Sequence, residues 1–188
     1  MYEKILTDPI FYLLLFKIDS DLAKKSHRGV CKACGGKLDW ANYLRKPRGG
    51  PLNLEKQCSI RFSLCCRSDG CRKRLLAPSI RFWGRRVYFS VLFSLITTLS
   101  NRSTADPPPI LRNKFNVSHQ TFLRWKKWWK EIFPTTVFWQ QAKSLIIGGE
   151  TNEDLPGSLF QVFEKLHTGK VVILKFLLFL NSSDGLSV

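Results

Sequence analysis

Four cysteines in two short-spaced pairs constrain this chain more than any other feature. One pair opens Cys31-Lys-Ala-Cys34-Gly35-Gly36, and the other brackets Cys66-Arg-Ser-Asp-Gly70-Cys71. Pairs two to four residues apart, repeated at a distance, are how a chain gathers four thiolates around a tetrahedral zinc; each short loop turns its backbone N–H groups towards the sulfurs. Gly35 follows Cys34 and Gly70 precedes Cys71, where such a bend favours a residue without a Cβ. The expected ligands are therefore Cys31, Cys34, Cys66 and Cys71, and the expected ion is Zn2+. Two cysteines remain. Cys65 abuts Cys66 and is an alternative third ligand with a longer spacer, while Cys58 reads as a small buried apolar residue and a second alternative.

Disulfides would need an oxidising compartment, and nothing in the sequence argues for export. The apolar run Ile10–Phe16 is followed by Lys17, Asp19 and Asp21 and has no small-residue cleavage site, unlike a signal peptide. The longest apolar stretches, Val87–Leu99 and Val171–Leu180, fall short of the roughly 18–20 residues of a membrane span. A cytoplasmic location with reduced thiols is the expectation.

Charge narrows the partner. Thirty Lys and Arg against fourteen Asp and Glu leave a net +16, an excess that attracts a polyanion. From Arg61 to Arg86 there are eight basic residues and one acidic one, Asp69. Between the cysteine pairs, Trp40 and Tyr43 precede Arg45-Lys46-Pro47-Arg48-Gly49-Gly50-Pro51, which reads as a short strand running into a mobile basic loop. Such loops track phosphate backbones.

In chain order, Asp8-Pro9 reads as a cap and first turn. It opens an amphipathic helix over 9–25, with Phe11, Leu14, Leu15, Ile18 and Leu22 as its stripe; Asp19 and Asp21 make it the acidic counterweight of the molecule. Ser59–Leu64 alternates like a strand feeding the second cysteine pair. A helical stripe follows Gly84, from Arg85 to Leu99. After Pro107–Pro109 comes a short helix to about Lys114, then the turn Phe115-Asn116-Val117 and a helix capped by Ser118 that runs to about Phe133 before Pro134. Long helix, short helix, three-residue turn and capped helix form the pattern of a helix-turn-helix. Phe122, Trp125, Trp129 and Ile132 or Phe133 should face its core, and His119, Gln120, Arg124 and Lys127 should face outward. Arg pairs bidentately with guanine and Gln with adenine. Val137–Ile147 reads as a further helix and Glu150–Pro156 as an acidic linker. Ser158–Leu166 and Lys170–Leu180 read as a hairpin whose second arm must bury itself in the core or against a second copy.

The chain at this point resembles a known group. Cys31–Cys34, the Arg-Phe-Ser-Leu-Cys-Cys lead-in and Cys71 with its basic cluster resemble the zinc ribbon of bacterial insertion-sequence transposases and their accessory proteins. Asn116-Val-Ser-His-Gln-Thr-Phe-Leu-Arg-Trp125 resembles their turn and recognition helix. The resemblance spans roughly residues 30–133 and implies sequence-directed DNA binding, with the four cysteines as metal ligands and Ser118–Lys127 at the groove. It departs from that pattern in the wider separation of the cysteine pairs, and no catalytic domain follows within this sequence.

Chemistry is not expected. The acids are scattered rather than converging on a magnesium site, and His27, His119 and His167 have no deaminase-like Glu and Cys company. Neither a phosphate-cradling Gly-rich loop nor a nucleophile elbow occurs, and a closed four-thiolate zinc has no open position for substrate. The sequence thus predicts an α+β, mainly α protein: an N-terminal helix (1–28), a zinc-ribbon-like β module (29–82), a helix-turn-helix bundle (83–147) and a C-terminal hairpin (148–188). Its expected role is non-catalytic duplex-DNA binding as a transposase-associated accessory or regulator. The contacts would be Arg45, Lys46, Arg48, Arg72, Lys73, Arg74, Arg85, Arg86, His119, Gln120, Arg124 and Lys127. The alternatives are an RNA or single-strand module stacking bases on Trp40 and Tyr43, and an adaptor that meets a second copy or a transposase through the C-terminal hairpin.

Overall fold

A computed structural model of the chain describes residues 2–83, 87–101, 113–146 and 155–181. Arg85, Arg86, the prolines at 107–109 and most of the acidic linker lie outside the described residues. Within them the protein is mixed α+β and mainly helical, with a small antiparallel sheet.

Helix α1 (Tyr2–Leu6) leads into α2 (Pro9–His27). The Asp8 carboxylate accepts the Ile10 N–H at 2.9 Å, and Pro9 takes the first turn, where no N–H is needed. Helix α2 buries Phe11, Tyr12 and Leu15 as a stripe, but Asp19 lies on that inward face as well. It is fully buried, so the acidic counterweight expected at Asp19 is instead an internal anchor. Its partner is Arg81, also fully buried, whose Nε stands 2.7 Å from Asp19 Oδ2. The same guanidinium donates to the carbonyls of Cys58 and Ile60 at 2.6 and 2.8 Å, and it stacks over Phe16, Phe62 and Phe82.

That anchor ties α2 to a small β module. Strands β1 (Leu38–Trp40), β4 (Ser63–Cys66) and β5 (Arg74–Leu76) form an antiparallel sheet in the order β1-β4-β5, with Leu38 opposite Cys66 and Cys65 opposite Arg74. Strands β2 (Tyr43–Leu44) and β3 (Ile60–Arg61) pair separately, and a 3-10 turn at Lys56–Ser59 precedes β3.

The segment 45–51, expected to be mobile, is a strap held to the helical body. The Arg48 N–H donates to the Val87 carbonyl at 2.6 Å, and the Arg45 N–H donates to Ser59 at 2.9 Å. Gly49 and Gly50 adopt φ of +75° and +88°; a side chain at Gly49 would strike Leu92, and one at Gly50 would meet Phe89 and Tyr12. The glycines signal close approach of backbone to core rather than freedom.

Helix α3 (Ser90–Asn101) runs through the middle of the helical body, packed by α1 and by three later helices. Every residue from Ser90 to Thr98 is buried, as befits a helix apolar on all sides. Ser94, Thr97 and Thr98 tolerate this because their hydroxyls donate back to carbonyls of the preceding turn. Helix α4 (His119–Lys127) starts at Ser118, whose hydroxyl accepts the Thr121 N–H. A π turn (Trp128–Ile132) and a 3-10 turn (Phe133–Thr135) follow. The wider π turn brings both Trp128 and Trp129 inward and buries Phe133, leaving Ile132 exposed. Helices α5 (Val137–Ile146), α6 (Gly157–Leu166) and α7 (Gly169–Asn181) complete the body. The apolar face of α7 lies inside the chain's own core through Val172, Ile173, Phe176, Leu177 and Leu180. One core cluster runs from Ile5 to Leu180, around stacked Phe93 and Trp129.

Candidate metal centre and basic groove

Cys31, Cys34, Cys66 and Cys71 place their four sulfurs within 4.8 Å of one another. Cys34 and Cys66 are 3.4 Å apart, and Cys31 and Cys71 are 3.8 Å apart. With Zn–S near 2.3 Å, the edge of a regular tetrahedron is about 3.8 Å; both separations lie near it, and the four sulfurs form a candidate site for a tetrahedral ion such as zinc. None of the six cysteines is disulfide-bonded. Strand alternation separates Cys65 from Cys66: Cys65 turns to the Arg72 carbonyl at 3.5 Å, and Cys58 is sealed in the main core.

The two cysteine loops share one design that their spacing conceals. In the first, the Gly35 N–H donates to the Cys31 carbonyl and the Cys31 N–H to the Gly36 carbonyl, both at 2.8 Å. In the second, the Arg72 N–H donates to the Ser68 carbonyl at 3.0 Å and the Cys66 N–H to the Lys73 carbonyl at 2.9 Å. Gly35 has φ +73° and Arg72 has φ 46°. Ser68-Asp-Gly-Cys71-Arg72-Lys73 therefore repeats Cys31-Lys-Ala-Cys34-Gly35-Gly36. Ser68 stands in the place of Cys31, and the ligand has moved two residues back to Cys66 at the end of β4. Gly70 does not have the role its sequence position suggests, since its φ is not in the left-handed region and a Cβ there meets nothing within 4 Å. The residue that carries the bend is Arg72. Gly36 is the glycine the cluster needs, because a Cβ on it would lie 3.1 Å from Cys66 Sγ and 3.3 Å from Cys34 Sγ, against the Ser68 hydroxyl.

Backbone donors set the thiol chemistry. The N–H groups of Ala33 and Cys34 lower Cys31. The Gly36 N–H, helped by the Cys66 and Cys71 thiols, holds Cys34 down at about 6. Cys71 receives the Lys73 N–H, yet its neighbour Cys34 and burial push it up to about 11. Four thiols share one site, and the first to ionise makes the last harder to ionise.

The basic run 61–86 divides. Arg61 and Arg81 are buried, Arg67 forms a forked pair with Asp39, and Arg72, Lys73 and Arg74 remain exposed. On the strap, Arg45 lies over Phe82 at 5.1 Å, whereas Lys46 and Arg48 are exposed. On α4, His119, Gln120, Arg124 and Lys127 are exposed as expected, with Lys127 near Glu131 at 3.6 Å. Strap and helix meet: Arg48, Arg124 and Lys127 rim a groove of about 550 Å³ walled by Tyr88, Trp125 and Trp128. Trp128 and Tyr88 were not singled out by the sequence reading; the π turn that directs Trp128 there has no sequence signal. Trp40 is stacked on His27 at 4.5 Å, and Arg74 lies over Tyr43 at 5.8 Å. Each ring thus has one face already occupied.

No helix among the described residues is long and apolar enough to cross a membrane. No family model, curated protein or solved structure matches this chain.

Proposed function

We propose that this protein is a non-catalytic, zinc-structured binder of duplex DNA. Four thiolates would close the zinc's coordination shell and confine it to a structural role. The exposed face of α4 would enter the major groove with His119, Gln120 and Arg124, while Arg72, Lys73 and Arg74 on the zinc module would hold the phosphate backbone. The observation that carries this reading is the meeting of Arg48, from the strap between the cysteine pairs, with Arg124 and Lys127 of α4 around one groove. Two basic segments far apart in sequence thereby become one cationic surface. The resemblance to insertion-sequence transposases and their accessory proteins supports an accessory or regulatory role beside such an enzyme. The adaptor alternative is weaker, because the apolar face of α7 is consumed in the core.

Site-directed variants test the division of labour. Arg124→Ala should relax sequence preference at about one base position, and Arg72→Ala should weaken binding to all sequences alike and reduce the salt slope by about one. Unchanged preference in Arg124→Ala would remove α4 from base contact.

A further inference from the structure

The groove between strap and α4 has more in it than duplex binding requires. Its volume of about 550 Å³ falls in the range of roughly 300–1,000 Å³ typical of small-molecule sites. Duplex phosphates need only the exposed cations of its rim. A recess with an aromatic wall and a cationic rim suits a different object, a nucleotide that has left the stack. Its phosphate takes the cations and its base takes the rings.

Two features show that the recess is built into the fold. Arg48 and Tyr88 are held together by a parallel β-bridge outside the two sheets, and the Tyr88 hydroxyl donates to the Asn116 carbonyl at 2.9 Å. That fixes one wall to the turn preceding α4. On the other side, the π turn right after Lys127 sets Trp128 and Ile132 along the groove; π turns are rare and concentrate at functional sites. Neither Arg48 nor Arg124 forms an ion pair among the described residues, so both guanidiniums are available to an anion.

We propose that this groove takes one unpaired nucleotide at the edge of a bound duplex, with its phosphate against Arg48 and its base against the exposed edges of Tyr88 and Trp128. The inference rests on the duplex-binding reading above and adds that junctions between double and single strand are preferred. Drawing a base out of an intact duplex costs stacking and pairing, whereas an overhang supplies one already free.

Full-length, zinc-loaded protein should be titrated against a blunt duplex, the same duplex with a short thymidine overhang, and free oligothymidine, with affinity read by fluorescence anisotropy. The overhang should bind about fivefold more tightly than the blunt duplex, the lower end of what one base gains on an aromatic surface. Ile132→Glu, which sets a carboxylate at an exposed position on the groove, should repel the phosphate and bring the overhang-to-blunt ratio close to one, and Arg48→Ala should lower it. Equal binding of blunt and overhang duplexes would overturn the groove proposal while leaving duplex binding intact. An overhang preference that persists in Ile132→Glu would also overturn it. Tighter binding to free oligothymidine than to either duplex would retain the nucleotide site and discard the duplex reading, and no binding to any of the three would discard both.

Discussion

Arg81 and Asp19 form a wholly buried ion pair, 2.7 Å between Nε and Oδ2, that bolts α2 to the four-cysteine β module. The carboxylate also accepts the Ile80 N–H at 2.7 Å and the Ser79 hydroxyl. Arg81 spends its other donors on the carbonyls of Cys58 and Ile60. Removing one partner leaves the other charged and unpaired in the core, which costs about 3–5 kcal/mol. Asp19→Ala should therefore lower unfolding stability by that amount in urea titrations. Arg81→Ala should do at least as much harm, because two carbonyls lose their donors as well. Loss of less than about 1 kcal/mol in Asp19→Ala would mean that the pair is not what joins the helix to the module.

The ligand set makes a sharper prediction. Cys66→Ser should lose tight zinc, measured by metal stoichiometry after dialysis, whereas Cys65→Ser and Cys58→Ser should retain one equivalent. Because Ser68 occupies the position that Cys31 holds in the first loop, Cys66→Ser combined with Ser68→Cys should recover zinc. Failure of the recovery, with Cys65→Ser still loaded, would show that the likeness of the two loops ends at the backbone.

Thiol reactivity should follow the hydrogen bonds. In metal-free protein near pH 7, Cys34, held at about 6 by the Gly36 N–H, should be largely thiolate and alkylate first. Cys71, pushed up to about 11, should lag, and the core thiol of Cys58 should lag furthest. Ordinary thiols ionise near 8.5, so the lowered value favours the folded loop at alkaline pH, an advantage lost as pH falls through about 6. Zinc uptake must displace the remaining protons. Calorimetry in buffers of different ionisation enthalpy should register proton release, with affinity rising as pH rises. Mass spectrometry showing Cys71 modified ahead of Cys34 would contradict this order.

Two glycines separate close approach from mere turn composition. Gly49→Ala places a methyl against Leu92 at a φ of +75° and should destabilise the fold by about 1–3 kcal/mol. Gly70→Ala meets open space at an ordinary φ and should fall within about 0.5 kcal/mol of the parent. Thermal melts of the two variants decide between these expectations, and equal shifts would show that the strap is not pressed onto α3.

What could be read in the sequence was local. Asp8 and Ser118 cap the helices they were expected to cap, because a cap is written within three residues. The four clustered cysteines were recognisable from spacing for the same reason. Features that depend on distant partners were not legible. Asp19 looked like surface charge because its partner lies in another element, and segment 45–51 read as mobile because Arg, Lys and Gly are also the composition of a free loop. Gly70 seemed essential because a glycine beside a cysteine suggests a bend, but the left-handed residue is Arg72. The basic run 61–86 included Arg61 and Arg81 in its count of positive charge, and both are interior. The π turn at Trp128–Ile132 sets Trp128 and Trp129 against Phe93 of α3, and periodicity alone favours neither Ile132 nor Phe133.

The central claim is duplex binding through a zinc-held cationic surface. Its most direct test is affinity for duplex DNA across a salt series, with zinc and after chelation. The account predicts that log affinity falls linearly with log salt, by about 0.9 per neutralised phosphate, and that chelation abolishes binding. Absent or salt-independent binding to zinc-loaded protein would contradict it and leave the +16 charge without a nucleic-acid partner.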